Sequence, residues 1–215
     1  MLDIDFTQVF IGFLVLLFSL TVHEAAHAWS ADRLGDATAR MLGRVSLNPA
    51  VHIDPIGTVL FPLIALATNL PILGWAKPVP VNILQLHGNW RRKFMAIAAA
   101  GPASNLIMAA IAAAILHVVR PGDLDPNAAV EISTPLTTLL ETGVFVNVLL
   151  AVFNMVPVPP LDGGNVLSGL LRGPVADAYD RLRPYGFLIL YALMFTGTLT
   201  AIISPPASFL LSWLL

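Results

Sequence analysis

Apolar positions in this chain fall in long blocks separated by short polar stretches. A helix that crosses a bilayer needs about 20 mostly apolar residues. Residues 6–29 meet that length, as do residues 94–119, which are Ala-rich, and residues 136–156, which stop at Pro157, Pro159 and Pro160. Residues 187–203 form a further run, with Pro205 and Pro206 expected to interrupt it before an apolar tail at 207–215. Residues 56–73 are apolar but broken by Pro62 and Pro71. The pattern predicts an all-α polytopic membrane protein of about 4–6 transmembrane helices. No internal repeat and no linker long enough to carry an inserted soluble domain are visible, so residues 1–215 read as one domain.

Composition agrees with a lipid environment. Hydrophobic residues make up 57% of the chain and charged residues 11%, with a mean hydropathy of +0.80. Soluble domains carry about 25% charged residues. The net charge of −2 gives no basic excess for nucleic acid. The absence of cysteine removes disulfides, thiolate metal sites and a Cys nucleophile. Residues 1–6 lack Lys and Arg, so the first run lacks the basic start of a secretory signal and is read as retained.

Charge placement sets an expected orientation. Lys and Arg concentrate on the cytosolic side of a membrane. Arg33, Arg40 and Arg44 follow the first run; Lys77, Arg91, Arg92 and Lys93 precede the Ala-rich run; Arg172, Arg181 and Arg183 precede residues 187–203. Only Arg120 lies elsewhere, and the loop at 121–135 carries Asp123, Asp125 and Glu131 instead. The N-terminus and that loop are therefore expected outside. Basic residues flank 56–73 on both sides, so a re-entrant or extended segment is expected around residues 56–90. The prolines in 74–82 forbid a helix interior there, and extended backbone can pair with another extended peptide.

The chemistry is concentrated in His23-Glu24-Ala25-Ala26-His27, near the cytosolic end of the first run. Residues four apart share a helix face, so two imidazoles can bind one metal, with Glu24 beside them as general base. This is the HExxH arrangement of zinc hydrolases. Ionisable groups inside a membrane span are costly and mark function by default, and no basic residue lies within a turn of Glu24 to neutralise it. Catalytic zinc takes three protein ligands. Elimination by depth leaves Asp162, His52 and Asp54 for the third. Asp162 follows the 136–156 run at the same depth as His27, before Gly163-Gly164; it also suits a turn and helix N-cap. His52 and Asp54 read better as loop-ordering residues. A metal transporter would need ionisable groups along several spans, and a silent membrane scaffold would have no need of Glu24 within a His pair.

Three elements together resemble the site-2 protease family of intramembrane zinc metalloproteases: His23-Glu-Ala-Ala-His27, Gly101-Pro-Ala-Ser-Asn105, and Asn154-Met-Val-Pro157 leading into Pro159-Pro-Leu-Asp-Gly-Gly164. Ser46-Leu-Asn-Pro49 and Ala76-Lys-Pro-Val-Pro80 are similar to the compact prokaryotic branch lacking PDZ and CBS domains. The resemblance implies one Zn2+ per chain held by His23, His27 and Asp162, with Glu24 as general base. It implies cleavage of peptide bonds in or near transmembrane segments of other membrane proteins; the charge pattern and the need for water set the expected site near the cytosolic face of the cell membrane. Asn105 and Asn154 are candidates for hydrogen bonding to the substrate backbone, with hydrogen bonding between helices as the alternative, evenly balanced for Asn105.

Overall fold

The computed structural model describes residues 6–61, 64, 75–119 and 134–215. Its long elements are helices. Helix α1 spans Phe6–Arg33 and a short α2 spans Thr38–Met41. The Ala-rich run forms α3, Trp90–Val119, and the next run forms α4, Thr134–Asn154. Four shorter helices follow: α5, Asp162–Leu170; α6, Pro174–Asp180; α7, Gly186–Phe195; and α8, Thr198–Leu214. Among the described residues, three helices (α1, α3 and α4) are long and apolar enough to cross a membrane, or four spans if the pair bent by 79° between α7 and α8 counts as one. Four is the low end of the expected number. Most of the 62–74 stretch and the acidic loop at 120–133 lie outside the described residues.

Helix α3 is the hub, packing against α1, α4 and α5, while α8 covers α4. Small residues permit the close approach: Ala109 and Ala113 of α3 meet Val144 and Val148 of α4, and the cluster continues into Leu190, Leu199, Ile203 and Ala207.

The sequence expectation for the last spans needs one correction. Pro205 and Pro206 do not interrupt the apolar run; they lie inside α8. The break falls earlier, at Gly197, whose φ of +74° is the left-handed conformation that ends helices. A membrane helix tolerates interior proline because neighbouring groups re-satisfy the freed carbonyls.

Between α1 and α3 the chain is irregular but pinned. Asp36, fully buried, accepts from the Thr38 and Asn82 amides at 3.0 and 2.6 Å. Asp54 caps a π-helical turn, Pro55–Leu60, accepting from Ile56 and Gly57. Residues 75–82 form a non-helical run, as the prolines require. Its Trp75 indole lies on Gly57, where an added Cβ would come within 2.5 Å of the ring.

Candidate metal and active site

His23 and His27 project from one face of α1 because they stand one turn apart. Their Nε2 atoms are 3.0 Å apart. Asp162, at the start of α5, brings Oδ2 to 3.1 Å from His23 Nε2 and 3.3 Å from His27 Nε2. These three are the one such His/Asp/Glu group among the described residues that could hold a metal. Glycines make the approach of α3 and α5 possible. A Cβ on Gly163 would fall 2.2 Å from the Met155 carbonyl oxygen, so the turn carrying Asp162 closes onto the end of α4 only without one.

The donor chemistry fits a cation. His27 Nδ1 lies 2.7 Å from the Ile97 carbonyl, which only accepts, so Nδ1 carries the proton and Nε2 presents a lone pair. His23 Nδ1 lies 2.6 Å from Asn105 Oδ1. Asp162 Oδ2 is buried, and no hydrogen-bond donor is aligned on it. Lone pairs and a carboxylate oxygen thus converge on one point. A tetrahedral ion with bonds of about 2.0–2.1 Å sets its ligand atoms about 3.3 Å apart, close to the observed triangle. A Cβ on Gly101 would sit 2.4 Å from His27 Nε2 and 2.5 Å from His23 Nε2. Glycine leaves that volume open.

The donors open onto a cavity of about 610 Å3 lined by α1, α3, α4, α5 and α7 and by the 75–81 segment. Its walls are mostly apolar, and Glu24, Asn154 and Asn165 are its other polar side chains. Glu24 Oε2 accepts from the Val79 amide at 3.1 Å. Pro78 and Pro80 have no N–H, so Val79 carries the one amide proton of that tripeptide, and it is committed to Glu24. On its other side the segment is held by Lys77, whose amide donates to the His52 carbonyl at 2.9 Å and whose carbonyl accepts from Arg44 Nη2. Arg44 is buried, and burial lowers its pKa against the opposing attraction of Glu24.

The sequence candidates divide. His23, His27, Asp162 and Glu24 meet at the cavity, and Asn154 lines it, its Nδ2 donating to the Leu150 carbonyl at 3.0 Å. Asn105 does not line it. It is fully buried behind His23 and bonded to Asn147, so no face is left for substrate. A polar residue inside an apolar span can serve a substrate or a neighbouring helix, and its position in the sequence alone could not choose. His52 and Asp54 order the loop: His52 Nε2 donates to the Ser46 carbonyl at 2.8 Å, and Asp54 is a cap. Sequence reasoning missed Gly101 as part of the metal cradle, and missed Arg44, Val79, Asn147 and Asn165; their roles depend on contacts tens of residues away.

A family model described as peptidase family M50 matches residues 122–196. The chain is 35% identical over 183 residues to the "putative zinc metalloprotease YwhC" of Bacillus subtilis (strain 168), covering 85% of this chain and 79% of that protein. It is 32% identical to the "putative zinc metalloprotease Rip2" of Mycolicibacterium smegmatis, covering 66% of it, and 29% identical to the protein of that name in Mycobacterium tuberculosis (strain ATCC 25618 / H37Rv), covering 69%. No solved structure matches. A chain with apolar spanning helices, a His/His/Asp cluster fit for a cation and this degree of likeness to a relative matched over most of its length belongs to peptidase family M50, the site-2 proteases, and is an intramembrane zinc metalloprotease.

Proposed function

We propose that His23, His27 and Asp162 hold the zinc, that Glu24 is the general base, and that residues 1–215 work as one catalytic domain on transmembrane segments entering the cavity. The observation that carries this is the convergence of three acceptor atoms, 3.0–3.3 Å apart, beside a carboxylate in a mostly apolar cavity. When bound, zinc supplies Lewis-acid chemistry, acidifying water and polarising the scissile carbonyl. Glu24 takes the proton from the attacking water and returns it to the leaving amine. The Val79 amide fixes which way the Glu24 carboxylate faces. A helical substrate keeps its carbonyls in i→i+4 bonds and must unwind locally. In an apolar setting its freed backbone groups need partners. Carbonyls of the 75–81 segment offer acceptors, and Asn154 Oδ1 offers another, since its amide nitrogen is engaged by Leu150.

The charge pattern further supports an N-terminus outside and a cavity toward the cytosol. His27 stands six residues and His23 ten residues before Arg33, the end of α1, which sets the site about 9–15 Å inside the helix end.

The test pairs metal analysis with cleavage. The detergent-purified chain is expected to hold about one zinc and to cut a transmembrane peptide. Glu24→Gln should keep zinc and lose cleavage by at least about 100-fold. Asp162→Ala should lose zinc. A wild-type chain that holds no zinc in metal-replete buffer would overturn the ligand assignment.

A further inference from the structure

Asn147 takes no part in the chemistry above, yet it is 3% exposed in the middle of an apolar span. Its Nδ2 donates to the Gly143 carbonyl of its own helix at 2.8 Å. A backbone carbonyl only accepts, so this contact fixes the amide: nitrogen toward Gly143, oxygen toward α3. The oxygen faces Asn105, 2.8 Å from its Nδ2. Asn105 must therefore present nitrogen to Asn147 and oxygen to His23. The Ser19 carbonyl, 3.4 Å from Asn105 Nδ2, favours the same orientation. Asn105 Oδ1 then requires a proton on His23 Nδ1, 2.6 Å away, which leaves Nε2 bare on the side where Asp162 and His27 converge.

The reverse order can be written atom for atom. Asn147 would donate to Asn105 Oδ1, Asn105 Nδ2 would donate to His23 Nδ1, and the proton would move to His23 Nε2, where it would block a metal. The reverse order sets Asn147 Oδ1 against the Gly143 carbonyl and Asn105 Oδ1 against the Ser19 carbonyl. The shorter of these contacts is made by Asn147, so α4 contributes the larger share of the choice between the two states. His27 needs no such device, because the Ile97 backbone fixes it directly.

We infer that Asn147 is a positioning residue which, through Asn105, holds His23 in its metal-binding tautomer. The inference rests on the reading that His23 ligates zinc. Groups that orient a metal-binding histidine are worth about 10–100-fold in metal affinity. The full chain in detergent is titrated with zinc against a competing chelator, and thermal unfolding of the metal-free protein is recorded alongside. Asn147→Leu, similar in size but without an acceptor, is expected to weaken zinc binding about 10-fold. Asn147→Asp, which keeps an acceptor toward Asn105, is expected to restore affinity to within about 3-fold of wild type. Should Asn147→Leu not fold, Asn147→Ala, which also lacks an acceptor, takes its place with the same expected loss. Zinc affinity in Asn147→Leu equal to wild type, or Asn147→Asp as weak as the Leu variant, would overturn the inference. A wild type that binds no zinc would instead overturn the ligand assignment on which it rests.

Discussion

At Gly101 a single methyl group separates a metal site from a helix contact. Alanine favours helix over glycine by about 1 kcal/mol, so Gly101→Ala should leave α3 intact. Its Cβ nonetheless falls 2.4–2.5 Å from both imidazole nitrogens. The expected outcome is a folded chain with zinc affinity reduced at least about 100-fold, an extreme of the range for disturbed ligand geometry, read by metal analysis beside circular dichroism. Gly101 could be read from the sequence as a motif residue, but its function could not, since the imidazoles it faces come from α1. His23, Glu24 and His27 were legible because helical spacing alone puts them together. Asp162 was legible as far as depth and flanking glycines go. Asn105 was noticed for its polarity within an apolar span, which could not choose between a substrate and a neighbouring helix; the structure bonds it to His23 and Asn147.

The segment at 75–82 matters as an element more than through any one side chain. Its prolines were legible as forbidding a helix; its attachments were not, because they are backbone bonds to His52, Glu24 and Asp36. Val79→Pro deletes the amide on Glu24 while keeping an extended path. It should lower the cleavage rate about 10-fold, within the usual span of a general-base contribution, with zinc content unchanged. At the other end of α5, Ser168 donates to Asp180 Oδ1 at 2.8 Å and Arg183 Nε does so at 3.1 Å. Burial would raise the Asp180 carboxyl, but these two groups outweigh it and hold it below its ordinary value. A depressed carboxylate adds stability above its unfolded pKa, near 3.9, and loses it as pH falls through the folded value. The thermal stability of wild type should therefore fall below about pH 4, and Asp180→Asn should reduce that acid-side loss.

Over the whole molecule, the long apolar blocks already announced a multi-pass membrane protein, because a span depends on length and hydropathy alone. The hub position of α3 and the break at Gly197 did not show, since both arise from packing between elements. The proposed orientation has a direct check in a chain free of native cysteine. Single cysteines placed at Arg33 and Arg183 should both react with a membrane-impermeant reagent only from the cytosolic side, and labelling on opposite faces would reject it.

The recessed cluster turns α1 into a ruler. On the proposed ligand assignment, His23 and His27 lie about 9–15 Å from the helix end at Arg33, and the expectation is that depth, and not side chains alone, selects the scissile bond. Sliding a substrate's apolar segment by one helical turn, with the residues around the cut unchanged, should carry the cut about four residues along the chain. Mass spectrometry of the fragments reads that displacement directly.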